Sequence, residues 1–266
     1  MPRARPRLVA TDLDGTLVRS DGTVSARTTA AIARVEAAGV PFVMVTGRPP
    51  RWMSAVAEAT GHRGLAVCAN GALVYDLHAA RVVRTDLLSS AAALGVVDAL
   101  RRELPGITFA VERHDAGFAH EPAYRPRWDA SDGLTQAPVE QLLATGVVKL
   151  LARHEELTAD ELLTAARRAV GAGATLTHSS SDGLLEISAA GVSKASGLAS
   201  LAADFGVEAG DVIAFGDMPN DLPMLAWAGR AVAVANAHPD VLAVAGELTA
   251  SNNDDGVAQV LDLDFT

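Results

Sequence analysis

A single cysteine, Cys68, stands in 266 residues. No intrachain disulfide can form, and no cysteine-based metal site is available. The thiol lies in the apolar stretch "LAVCAN", which reads as a strand, so a buried structural thiol is expected there rather than a nucleophile. Aromatic residues make up only 4% of the chain. No uncharged apolar run approaches the roughly 18 residues that mark a membrane-crossing helix. The opening "MPRARPRLVATD" couples its arginines to a short apolar run that ends in acid, so no signal peptide is expected. Positive charge is in deficit as well: 22 lysines and arginines face 32 aspartates and glutamates, a formal net charge of -10. An acidic surface repels nucleic acid and anionic lipid, so neither is an expected partner, though this speaks for the surface average and not for a local cationic pocket. A soluble cytoplasmic protein is the resulting expectation.

The chain is long enough for one large domain or two modest ones, and 49% of it is hydrophobic. Its first third alternates. "RLVATD" reads as a buried strand ending at Asp12, "SARTTAAIARVEAAG" as a helix capped near Ser25 and ended by Gly39, "VPFVMVTG" as a strand, "RWMSAVAEATG" as a helix and "LAVCAN" as a third strand. Continuously apolar strands alternating with helices predict a parallel sheet covered on both faces. After Asn70 the pattern changes to short strands with polar alternation and intervening helices, as in an antiparallel sheet covered on one face. The βα pattern returns with "SKASGLASLAADFG", "DVIAFGD", "NDLPMLAWAG", "RAVAVAN" and "DGVAQVLDLDF". The fold class is therefore α/β: a Rossmann-like parallel-sheet core, residues 1–79 and 187–266, with an inserted α+β cap domain, residues 80–186.

Two apolar strands run straight into acids. "LVATDLDGT" ends in Asp12 and Asp14, and "VIAFGDMPND" ends in Asp217, Asn220 and Asp221. In an open parallel sheet, ligands bind beyond the carboxyl ends of the strands. If both strands are central, these acids are neighbours, and crowded carboxylates need a cation. Oxygen ligands without a histidine or cysteine cluster favour magnesium. Magnesium held by acids suggests a substrate bearing phosphate. The end of the second strand fits it, with the Thr46 hydroxyl, the Gly47 amide and the Arg48 guanidinium in sequence. Lys194 begins a helix, where an ammonium is unfavourable unless an anion shares the site.

Four pieces, in order, resemble haloacid dehalogenase-like phosphatases: "DLDGT" (12–16), "VTGR" (45–48), Lys194 and "GDMPND" (216–221). The inserted domain, "NGALVYD" and "SNNDDGVAQVL" look like the Cof-type branch. The resemblance implies an aspartyl-phosphate mechanism, with Asp12 as nucleophile and Asp14 as general acid and then base. Thr46 and the Gly47 amide would hold the phosphoryl group, and Lys194 would neutralise it together with Asp12. Magnesium would sit on Asp12, the Asp14 backbone carbonyl and Asp217, with Asp221 in or near the first shell. Asn220 would position phosphate or Lys194, while Arg48 and Asn70 would reach toward substrate. Ala195 follows Lys194 where relatives often have glycine.

The cap is expected to cover the catalytic face and to choose the leaving group. Its candidates are Arg113, His114, His120, Arg125, Arg127 and Trp128; His114 and His120 with Asp115 and Glu121 raise the question of a second metal site, but without a helical spacing such as H-E-x-x-H. The expected activity is magnesium-dependent hydrolysis of small phosphate monoesters, by resemblance sugar phosphates or similar metabolites. The alternatives are a phosphomutase or phosphotransferase sharing the intermediate, and a non-catalytic sugar-phosphate binder. Both a monomer and a homodimer are compatible with the sequence.

Overall fold

Strand β1 (Leu8–Thr11) is buried at all four positions, as its apolar run predicts. The computed structural model describes residues 5–113, 117–127 and 134–266, so the candidates His114 and Trp128 lie outside the described residues. Helix α1 (Ala26–Ala37) starts where the Ser25 hydroxyl accepts a hydrogen bond from the Thr28 amide at 3.0 Å. Next come β2 (Phe42–Val45), α2 (Met53–Thr60), β3 (Leu65–Cys68), β4 (Leu73–Asp76) and β5 (Arg81–Thr85). The insertion contributes α3 (Ser90–Glu103), β6 (Thr108–Arg113), β7 (Gly117–His120), β8 (Thr135–Gln136) and α4 (Val139–Leu142). It closes with β9 (Lys149–Arg153), α5 (Ala159–Val170), β10 (Ala174–Thr177) and β11 (Leu184–Ala189). The chain then returns through α6 (Lys194–Asp204), β12 (Val212–Gly216), α7 (Leu222–Trp227) and β13 (Arg230–Val234). It ends with α8 (Pro239–Val244), β14 (Glu247–Thr249) and α9 (Gly256–Asp264).

The core sheet runs β14-β13-β12-β1-β2-β3-β4-β5. Pairing from β14 through β3 is parallel, and β4 joins β3 antiparallel. β1 and β12 are adjacent, with Thr11 opposite Phe215, so the residues that follow each strand leave the sheet side by side. This register places Asp12 and Asp217 together. Helix α1 packs with α2 and α9, and α7 packs with α6 and α8. The Cys68 thiol is buried in β3, where loss of water pushes it up to about 12, an inert structural thiol at neutral pH.

The inserted sheet runs β10-β11-β9-β6-β7-β8 and is antiparallel except for β7 with β8. Phe109, Val111, Leu150, Ala152, Leu185 and Ile187 point to one face and pack with α3, α4 and α5. The alternate positions carry Ala110, Leu151 and Leu184 under Tyr124, together with the buried charges Glu112, Lys149, Arg153 and Glu186. Lys149 Nζ donates to Glu186 Oε1 at 2.7 Å. Two-residue alternation explains how one sheet carries an apolar face and a charged one.

The compact units are Met1–Arg84 with Ser193–Thr266, and Thr85–Val192. They divide elsewhere than at 79/80 and 186/187. The turn after β4, in which the Asp76 carboxylate accepts from the amides of His78 and Ala79, brings β5 onto the edge of the core sheet. Residues of β5 alternate between exposed and half-buried, which in sequence is indistinguishable from a strand of the insertion. β11 runs to Ala189 within the inserted sheet, and the second boundary also falls later in the chain, after Val192. Among the described residues, no helix is long and apolar enough to cross a membrane.

Candidate active site

Asp12 follows β1 directly and is buried, and its amide donates to the Phe215 carbonyl at 2.9 Å. The chain turns at once. The amides of Thr16, Leu17 and Val18 all donate to the Leu13 carbonyl, at 3.2, 3.0 and 2.8 Å. Gly15 adopts φ +81°, and a Cβ there would stand 2.3 Å from Asp217 Oδ2. Glycine is what lets the loops after β1 and β12 meet. Thr16 Oγ1 then donates to Asp217 Oδ1 at 3.0 Å.

Lys194 is the first residue of α6, whose start is fixed by a capping box between Ser193 and Ser196. Its side chain is 1% exposed. Nζ donates to Asp12 Oδ1 at 2.6 Å and to Asp221 Oδ1 at 2.7 Å. The other oxygen of Asp221 accepts from the amides of Asp217 and Met218, each at 3.0 Å. Asp221 thus fixes both the loop that carries Asp217 and the ammonium that faces Asp12. An ammonium at a helix start, expected to need an anion, has two.

Carboxylate oxygens of Asp12, Asp217 and Asp221 all lie within 4.8 Å of one another, the one group of metal-capable side chains among the described residues. Three buried carboxylates are gathered near one ammonium, which bonds two of them. Burial raises Asp12 well above the ordinary carboxylate range, against the pull of Lys194 and with the push of its acid neighbours. Burial and Asp221 likewise lift Asp217 to about 7. Lys194 goes up too: burial opposes its charge, but Asp12 and Asp221 outweigh burial. A hard, all-oxygen donor set with negative charge in excess of its one cation fits a magnesium ion. His120, a candidate for a second metal site, is buried with Nδ1 on the Glu121 carbonyl at 2.7 Å.

The Asp14 carboxylate lies outside this acid cluster. It is 59% exposed and forked by Arg48, with Nε at 2.8 Å and Nη2 at 2.5 Å. Arg48, expected to reach toward substrate, therefore stands on the second acid of "DLDGT". Thr46 is buried, and its hydroxyl accepts from the Arg48 amide at 3.1 Å across Gly47. The Asn70 amide donates to the Thr46 carbonyl at 3.0 Å, and Asn70 Oδ1 accepts from Asn220 Nδ2 at 3.1 Å. The two asparagines join the loops after β3 and β12. In the insertion, Arg127 pairs with Glu155 at 3.6 Å and Asp182 at 3.1 Å, and Arg125 is exposed.

Three contributors escaped sequence reading. Thr16 was visible as part of "DLDGT" but had no assigned partner. Gly71, with φ +101°, packs so closely that a Cβ would stand 2.0 Å from the Ser193 carbonyl oxygen, just before Lys194. Asn236 follows β13, and the rule that finds Asp12 and Asp217, a polar residue just past an apolar strand, points to it as well.

The chain matches the haloacid dehalogenase-like hydrolase family over residues 9–261. It is 28% identical over 269 residues to the pyridoxal phosphate phosphatase YbhA of Escherichia coli (strain K12), covering 96% of this chain and 97% of that one. It is 29% identical over 272 residues to the 5-amino-6-(5-phospho-D-ribitylamino)uracil phosphatase YitU of Bacillus subtilis (strain 168), covering 97% of each. The solved structure of BT1666 from Bacteroides thetaiotaomicron shares the fold, with a TM-score of 0.81 at 23% identity, over 99% of this chain and 97% of that one.

Proposed function

This chain belongs to the haloacid dehalogenase-like hydrolase family and is a hydrolase, and on that premise we propose that it is a magnesium-dependent phosphatase of small phosphate monoesters, of the Cof-type branch. The observation that carries the proposal is the cluster of Asp12, Asp217 and Asp221 around Lys194, at the carboxyl ends of adjacent strands β1 and β12. Pyridoxal phosphate and a ribitylaminouracil phosphate, in the names of YbhA and YitU, are small monoesters and support that substrate class. Sugar phosphates are the first members we would assay, and the cytoplasm is the compartment we assign.

In this proposal an oxygen of Asp12 attacks phosphorus, and the bond from phosphorus to the ester oxygen breaks. The departing alcohol takes a proton from Asp14, whose carboxyl stands on the exposed side of the loop while Asp12 is buried. Asp14 then accepts a proton from water as that water attacks the aspartyl phosphate, releasing inorganic phosphate and restoring Asp12. Lys194 compensates charge at Asp12 throughout, and Asp221 holds Lys194 in place. Thr46, the Gly47 amide and Asn220 orient the phosphoryl oxygens, and Asn70 steadies Asn220. Arg48 forks both oxygens of Asp14 here, and it releases one of them before Asp14 carries that proton. Asp12, Asp217 and the Asp14 carbonyl would hold magnesium, which when bound supplies positive charge for the phosphoryl oxygens.

The test is phosphate release from hexose phosphates, pyridoxal phosphate, flavin mononucleotide and an aryl phosphate, with magnesium and again with excess chelator. Release with magnesium and none with chelator is expected. Release that ignores the chelator, or transfer to a sugar hydroxyl in place of water, contradicts the proposal.

A further inference from the structure

The loop between β13 and α8 makes one hydrogen bond to each of the two acid-bearing loops. Asn236 Nδ2 donates to the Gly15 carbonyl at 2.8 Å. Two residues on, the His238 amide donates to the Asp217 carbonyl at 2.7 Å. Gly15 is the residue whose missing side chain lets the first loop touch Asp217, and Thr16 beside it holds Asp217 Oδ1. The loop thus spans the junction at which Asp12 and Asp14 approach Asp217.

Asn236 is itself held. Its Oδ1 accepts from the Asn252 amide at 2.9 Å, and Asn252, which is buried, donates from Nδ2 to the Val18 carbonyl at 2.9 Å. Farther along, Asn253 and Ser20 exchange two bonds, at 3.0 and 3.1 Å. Asn236 is exposed, so its conformation is set by these hydrogen bonds and not by packing. An exposed asparagine with its amide nitrogen on one segment and its amide oxygen on another is a brace, since both ends of a planar group are fixed at once.

We propose that Asn236 is a positioning residue for the magnesium site: through Gly15 it sets the distance of the Asp12–Asp14 loop from Asp217. The inference rests on the metal-site reading given above. Magnesium tolerates little departure from octahedral geometry. A loop free to drift from Asp217 therefore binds it less tightly, even when every ligand is present.

The experiment is calorimetric titration of the full chain with magnesium alone, comparing wild type, Asn236→Ala, Asn236→Ser and Asn253→Ala. Circular dichroism confirms that each is folded, and the serine variant stands in should the alanine one fail to fold. Both Asn236 variants are expected to bind magnesium about three- to tenfold more weakly, the worth of one neutral hydrogen bond. They are also expected to need proportionally more magnesium for half-maximal phosphate release. Asn253→Ala, which cuts only the bonds to Ser20, is expected to bind as wild type does. Wild-type affinity in the Asn236 variants, or equal weakening by Asn253→Ala, overturns the positioning role. A wild-type chain that binds no magnesium overturns the metal-site reading, and this inference with it.

Discussion

Lys194 Nζ lies 2.6 Å from Asp12 Oδ1, across 182 residues of chain. The same nitrogen lies 2.7 Å from Asp221 Oδ1. Removing the ammonium leaves buried carboxylates without a counter-charge, which costs about 3–5 kcal/mol where a buried ion pair is broken. Lys194→Met keeps most of the volume and loses the charge. Urea unfolding at pH 8 without metal is expected to show a loss of that order, and phosphate release to fall by about a hundredfold or more. Unfolding unchanged from wild type would mean that Lys194 does not balance these acids.

Asp12 is raised well above the ordinary carboxylate range, and Asp217 moves from 3.8 to about 7. Between about pH 4 and 7 the folded, metal-free chain holds protons that the unfolded chain has released. Its stability therefore falls as pH rises through that window. Lys194 is also raised, and its contribution is fully present in this range, so it does not reverse the sign. Magnesium displaces the protons. The rise in melting temperature on adding magnesium is expected to be larger at pH 8 than at pH 5, as scanning calorimetry will show. An equal rise at both values would contradict a coupled acid site.

Gly71 supports Lys194 from behind. Its φ is +101°, and an added Cβ would stand 2.0 Å from the Ser193 carbonyl oxygen and 3.3 Å from the Lys194 amide nitrogen. Ser193 caps α6, so a push at this point moves the helix start that carries the lysine. Gly71→Ala is expected to destabilise the chain by about 2 kcal/mol or more and to lower kcat. Gly22→Ala is the comparison: Gly22 also has positive φ, +82°, but nothing lies within 4 Å of its added Cβ. It is expected to lose stability with little change in kcat. Equal effects on kcat would assign the loss to backbone strain alone.

The catalytic edge was legible because polar residues interrupt apolar runs there. Asp12 and Asp217 each end a buried strand, and alternation with helices makes those strands parallel, so their ends share an edge. Lys194 stood out by its unfavourable place at a helix start. The pairing of Arg48 with Asp14 was not legible, since 34 residues separate them and either side chain has other directions open. Helix α8 and strand β14 were also hidden: at 6 and 3 residues they are too short for a period to show. The start of the insertion is hard to place from sequence, because β5, on the edge of the core sheet, alternates as a strand of the insertion would.

The phosphoryl group passes through Asp12 in this mechanism, and that step is directly observable. The chain, with magnesium and a phosphate ester labelled in its phosphoryl group, is quenched in acid during the first turnover, and its peptides are analysed by mass spectrometry. The label is expected on the peptide containing Asp12, and it is expected to be absent from Asp12→Asn, which is expected to fold and to release no phosphate. Release of phosphate by Asp12→Asn at a rate near that of wild type, with no labelled peptide in either protein, would contradict the mechanism.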